Sequence, residues 1–182
     1  MSSPLRIGVI GAGHLGRIHL RCLQSLSDRW DTVGFYDPDE AAAQAVMTMA
    51  KEEHWAATPS AFPSAGALLD AVDAVAIVTP TPLHALVAEA ALAQGVHCFI
   101  EKPVTNYLAE AEALIAARDS AQCVVQVGHV ERFNPAFEAA RAHLDAPRFI
   151  EAHRLASFNP RGLDVPVVMD LMIHDIDLAL HV

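Results

Sequence analysis

Leu5-Arg6-Ile7-Gly8-Val9-Ile10-Gly11-Ala12-Gly13-His14-Leu15-Gly16 decides the fold of this chain. A short apolar run with strand character enters a turn whose glycines stand at its first, third and sixth positions. A helical pattern over residues 14–27 follows. In a strand, glycine turn and helix of this kind, the first glycine permits the tight turn and the second lets a pyrophosphate approach the backbone. The third lets helix and strand pack closely, while the helix N-terminus faces the phosphate charge. Asp37 lies at the end of the next strand-like run, 21 residues beyond Gly16. A carboxylate there accepts both ribose hydroxyls of a dinucleotide and repels a 2′-phosphate, which favours NAD over NADP. The plainer reading of Asp37-Pro38 is an ordinary turn.

Outward from this stretch, apolar runs alternate with Ala- and Leu-rich helical patterns, the mark of parallel βαβ units. Strands are predicted at 5–10, 32–36, 54–57, 74–78, 96–100 and 122–128, and helices at 14–27, 39–51, 64–71, 83–94 and 109–117. Gly95 is placed to cap the helix before the fifth strand. The expected fold class is α/β: a doubly wound parallel sheet of the Rossmann type over residues 1–127, then the incomplete start of an α/β substrate domain over 128–182. In that second part a helix is expected from Asn134-Pro135 to about residue 143, an alternating strand at 148–157 and a helix at 167–182. The last helical pattern reaches Val182 without a cap, so a second domain is expected to begin here and not to finish.

The composition narrows the function classes. A net charge of −10, with only 12 Lys and Arg scattered along 182 residues, leaves no clustered basic face for nucleic acid or an anionic membrane. No apolar run approaches the roughly 18 residues of a membrane span, and no basic and apolar leader precedes the first strand, so a cytoplasmic location is expected. Cys22, Cys98 and Cys123 are odd in number, widely spaced and set among apolar residues, which reads as reduced structural thiols. No metal site is expected, since no group of donor residues has ligand spacing.

Two further segments fall at strand C-terminal ends, where open α/β sheets hold ligands. Thr79-Pro80-Thr81-Pro82-Leu83-His84 follows the fourth strand; its prolines stiffen a loop beside the cofactor, or Thr81 and Pro82 simply start the next helix. Glu101-Lys102-Pro103 follows the fifth. Lys102 is one of only two lysines in the chain. An ammonium there can hold a substrate oxygen and favour a developing alkoxide, or it can pair with Glu101 for structure alone. Gly11, Gly13, His14, Leu15, Gly16, Asp37, Thr79, Pro80, His84, Glu101 and Lys102 are the cofactor-binding candidates. Within that set, His14 also has a plain reading as a solvent-facing residue of the first helical turn, and His84 one as part of a plain loop that starts the next helix.

GVIGAGHLGRIH, TPTPLH, EKP and the later DLMIHDID, in this order across essentially the whole chain, resemble the Gfo/Idh/MocA oxidoreductases, the glucose-fructose oxidoreductase and inositol dehydrogenase family. The resemblance implies that Lys102 is at the active site and that the bond to Pro103 is cis. It also implies that Asp170 and His174, matching a D-x-x-x-H motif, act with Lys102, His174 as acid/base and Asp170 orienting histidine or substrate. At uniform helical spacing Asp170, His174 and Asp177 would share one face; without the other motifs that face reads as a solvated one. Val165-Pro166-Val167-Val168 departs from the small residues the family usually carries there.

Arg132, Asn134 and Arg161, in the segments GHVERFNP and FNPRG, are the substrate candidates together with Asp170 and His174. Guanidinium forks fit diphosphate oxygens, and these segments are similar to the nucleotide-sugar branch, the UDP-N-acetylglucosamine 3-dehydrogenases. Structural ion pairs at a domain junction are the alternative for both arginines. The expected activity is NAD-dependent oxidation of a ring secondary alcohol of a sugar or UDP-sugar to a ketone, in a homo-oligomer once the second domain is complete. An imine or biliverdin-type reductase, and a dinucleotide-binding regulator or sensor without turnover, stay open beside it.

Overall fold

The computed structural model describes residues 4–144, 147–155 and 166–182. They form two compact units, residues 1–127 and 128–182.

The first unit is a six-stranded sheet. Its strands are β1 (Leu5–Ile10), β2 (Trp30–Tyr36), β3 (Ser60–Ala61), β4 (Ala74–Ile77), β5 (His97–Ile100) and β6 (Val125–Val127). All pairings are parallel, in the order β3-β2-β1-β4-β5-β6. This is the strand order of a Rossmann sheet, whose direction of winding reverses between β1 and β4. Helices α1 (His14–Gln24), α2 (Glu40–Glu52), α3 (Ala65–Leu69), α4 (His84–Ala93) and α5 (Leu108–Ala121) supply the crossovers.

Alternation along the strands sorts the core onto two faces. Val75 and Ile77 of β4 pack with Leu68 of α3, Ala88 and Leu92 of α4 and Leu114 of α5. Ala74 and Ala76 of the same strand pack with Leu20 and Leu23 of α1 and Val46 of α2. The complete burial of β4, apolar at every position, follows from having helices on both sides. Cys98 and Cys123 belong to this core, and burial, with Cys123 nearby, pushes the Cys98 thiol up to about 12. Cys22 differs from expectation: it lies on the exposed side of α1.

Several predicted boundaries shift for local reasons. The strand expected at 54–57 is instead the closing turn of α2: His54 has φ of +53° and the Trp55 amide bonds back to the Ala50 carbonyl at 3.0 Å. The edge strand falls at Ser60–Ala61, beside Gly34 and Phe35. Gln122, with φ of +54°, ends α5 and delays β6 to Val125. Helix α4 enters through a 3-10 turn, Thr81–Leu83, with no side-chain cap, so Thr81 does not serve as N-cap.

The second unit holds a 3-10 turn (Val130–Phe133), α6 (Pro135–Arg141) and α7 (Ile173–His181), which is preceded by a π-helical turn, Val168–Met172. Residues 148–155 are irregular where a strand is expected; among the described residues no neighbouring strand offers them a ladder. The rest of that expected strand, 156–157, and the Phe158-to-Gly162 segment with Arg161 lie outside the described residues. Among the described residues no helix is long and apolar enough to cross a membrane.

Candidate active site

The register of the sheet sets three loops side by side. Val78 donates to the Ile10 carbonyl at 2.8 Å and Glu101 donates to the Ile77 carbonyl at 3.0 Å. The glycine turn after β1, the Thr79-Pro80 loop after β4 and the Glu101-Lys102-Pro103 turn after β5 therefore leave adjacent strands at one rim.

The glycines of the turn have distinct tasks. Gly11 has φ of +97°, and a Cβ on it would lie 2.6 Å from the Val78 carbonyl group. A Cβ on Gly16 would come within 1.8 Å of the Gly11 oxygen, so α1 and the turn touch backbone to backbone. At Gly13, the N-cap of α1, a Cβ would meet nothing within 4 Å. That position is open, and the first amides of an 11-residue helix stand behind it. Open backbone at a helix N-terminus fits a phosphate group. His14 and Leu15, on the exposed first turn of α1, flank it.

Asp37 is half-buried at the end of β2. Its Oδ2 accepts from the Ala12 amide at 2.6 Å and its Oδ1 from the Asp39 amide at 2.9 Å, so the carboxylate is fixed against the glycine turn. Thr79, at the neighbouring loop, has a buried Oγ1 with no hydrogen-bond partner among the described residues, and the exposed Pro80 follows it.

The third loop is braced from within. The Lys102–Pro103 peptide is cis. Glu101 Oε2 accepts from the Lys102 amide at 3.1 Å, and Oε1 lies 2.8 Å from His19 Nε2. Burial pushes the Glu101 carboxyl up, but the hydrogen bond and charge of His19, with the amide and charge of Lys102, outweigh it and hold the group below its ordinary value. His19 carries no motif label, and its partner is 82 residues away in sequence. His84 is 1% exposed. Its Nδ1 lies 2.9 Å from the Pro103 carbonyl and its Nε2 2.8 Å from the Thr79 carbonyl. As a cofactor contact, the His84 side chain is therefore corrected: it faces inward, and it joins two rim loops to one another.

In the second unit two of the substrate candidates, Arg132 and Asn134, are engaged by their own neighbours. Arg132 lays its guanidinium fork on Asp177, Nε to Oδ2 at 2.7 Å and Nη2 to Oδ1, and His129 Nδ1 lies 3.6 Å from the same carboxylate. The hydrogen bond from Arg132 holds the Asp177 carboxyl below its ordinary value against the opposing effect of burial, with His129 adding to the lowering. Asn134 caps α6: its Oδ1 accepts from the Ala136 amide at 3.0 Å while its Nδ2 donates to Glu131. Uniform winding through Asp170, His174 and Asp177 is also corrected. Asp170 lies in the π-helical turn and Asp177 is turned inward at 8% exposure, while Asp170 and His174 are each half-buried.

Residues 5–129 match the Gfo/Idh/MocA family, described as an oxidoreductase family with an NAD-binding Rossmann fold. The chain belongs to this family. It is 47% identical over 177 residues to the UDP-N-acetylglucosamine 3-dehydrogenase of Acidithiobacillus ferrooxidans, covering 97% of this chain and 53% of that protein. A solved structure of that enzyme matches with a TM-score of 0.85 over 99% of this chain and 56% of the other. The scyllo-inositol 2-dehydrogenase (NAD(+)) of Bacillus subtilis is 30% identical over 190 residues, covering 98% of this chain and 54% of its own length. The chain thus spans about half the length of the curated relatives it matches.

Proposed function

We propose that this chain belongs to an NAD-dependent dehydrogenase that oxidises a ring secondary alcohol of a nucleotide sugar to a ketone. The observation that carries the reading is the shared rim, where an open glycine cradle, a fixed carboxylate and a lysine leave neighbouring strands. The 47% identity to a UDP-N-acetylglucosamine 3-dehydrogenase favours a UDP-sugar over a free sugar or inositol.

Gly13 and the first amides of α1 hold the pyrophosphate, and Asp37 accepts the adenosine ribose hydroxyls. When bound, the dinucleotide would supply the hydride acceptor for the carbinol carbon. Lys102 holds the reacting oxygen and stabilises the negative charge that develops on it. His174 takes the hydroxyl proton as the C=O bond forms, and Asp170 orients that imidazole or the substrate.

The test follows near-ultraviolet absorbance of reduced nicotinamide with NAD and UDP-N-acetylglucosamine, beside glucose and myo-inositol, for the wild type and Lys102→Ala. Turnover with the UDP-sugar alone, lost in the variant while dinucleotide binding persists, is the expected result. Dinucleotide binding with no turnover on any sugar would overturn the assignment in favour of a sensor.

A further inference from the structure

The proposed chemistry uses Lys102, but the two imidazoles built around its turn have no role in that chemistry. They come from opposite sides of the sheet. His19 belongs to α1, whose Leu20 and Leu23 pack in one core cluster. Its ring lies 5.4 Å from that of Phe99, which packs against the same cluster. His84 opens α4, whose Ala88, Ala91 and Leu92 pack in the other. One imidazole meets the residue before Lys102 and the other meets the residue after it, at 2.8 Å and 2.9 Å.

We propose that His19 and His84 are positioning residues that grip the Glu101-Lys102-Pro103 turn from the two faces of the sheet and so fix where the Lys102 ammonium stands. The inference rests on the reading that Lys102 holds the reacting oxygen.

The two contacts divide the work. Glu101 is tied by one carboxylate oxygen to His19 and by the other to the Lys102 amide, so a displacement of the carboxylate is passed directly to the lysine backbone. His84 sets one ring nitrogen against each of two carbonyl oxygens, which only accept, and the ring N–H donates to one of them according to the tautomer. A rigid ring with polar atoms at both ends sets the distance between the Thr79 loop and the Pro103 turn. Side chains held this way keep a reacting group within the small tolerance that orientation demands, and a misplacement of about 1 Å costs on the order of a hundredfold in rate.

The experiment uses the second lysine as its reference. Lys51 is exposed near the end of α2, and the chain contains no third lysine. Brief amine labelling of the folded chain, read by mass spectrometry as the ratio of Lys102 to Lys51, reports the surroundings of Lys102 without any substrate. His19→Leu and His84→Ala are expected to change that ratio about threefold or more and to lower kcat about tenfold or more, with dinucleotide affinity within about twofold. His19→Gln keeps an N–H donor toward Glu101 and is expected to return the ratio toward wild type, which a general loss of stability would not produce. A wild-type ratio in folded His19→Leu overturns the proposal, whether or not His84→Ala folds. If Lys102→Ala turns over normally, the catalytic reading of Lys102 fails, while the labelling ratio still decides the grip.

Discussion

The Ala12 amide donates to Asp37 Oδ2 at 2.6 Å, tying the glycine turn to the end of β2. The carboxylate thus has two tasks in the proposed function: it supports the turn and it faces the ribose. A carboxylate oxygen can accept more than one hydrogen bond, so the amide bonds leave acceptor capacity for hydroxyls. Asp37→Ala should weaken NADH binding about tenfold or more, equivalent to about 1.4 kcal/mol, and NADPH binding clearly less. Fluorescence titration with both dinucleotides checks this; an equal loss for the two would reduce Asp37 to a support for the loop.

The glycines separate folding from binding. Gly16→Ala sets a methyl 1.8 Å from a backbone oxygen that cannot move aside without opening the turn. It should cost about 1–3 kcal/mol or more, the range of overpacking with backbone shift. Gly13→Ala meets nothing within 4 Å. It should leave the melting temperature nearly unchanged and still weaken dinucleotide binding, because its methyl enters the space offered to the phosphates. A Gly13→Ala chain that binds NADH like wild type would remove this cradle from the proposal.

What the sequence made legible follows from range. Periodicity and the glycine turn are local, and they place β1, α1, β2, β4 and β5 and the three loops of the rim. The edge strand at Ser60–Ala61 was not legible, because two exposed residues carry no apolar pattern and pair only through Gly34 and Phe35. His19 was missed because its contact with Glu101 crosses 82 residues, although its place three positions after Gly16 is on a helix packed beside the rim. The Arg132 fork is ambiguous in sequence for a related reason: a guanidinium suited to a diphosphate is equally suited to a carboxylate such as Asp177, brought to it by folding.

Glu101 gives the chain an acid-sensitive element. Burial raises its carboxyl, but His19 and Lys102 outweigh burial and leave it below the ordinary value in the folded chain. The unfolded chain therefore takes up the proton first as pH falls, so stability rises with pH through this window. The contribution is complete above the ordinary carboxylate value of about 4.3 and is lost as pH falls through the lower folded value. Thermal unfolding across this range should show wild type losing stability more steeply than Glu101→Gln. Parallel curves for the two proteins would mean that the Glu101 contacts do not favour its charged form.

Asp177 and Arg132 decide whether the second unit uses this arginine for structure. Asp177 is 8% exposed, and it receives a two-point fork from Arg132 with His129 close by. Removing the carboxylate leaves the fork without its partner, whereas Arg132 is exposed enough for water to recover part of the loss. Asp177→Ala should therefore lower stability by about 1.5–3 kcal/mol, the range for hydrogen bonds to charged groups. Arg132→Lys should not preserve the contact, since an ammonium cannot make the planar two-point fit. Denaturant titration of these variants, alongside the KM for a UDP-sugar, separates the two uses of the residue. Lost stability in both supports a structural fork. An Arg132→Lys chain that keeps wild-type stability but needs far more UDP-sugar would return the guanidinium to the diphosphate.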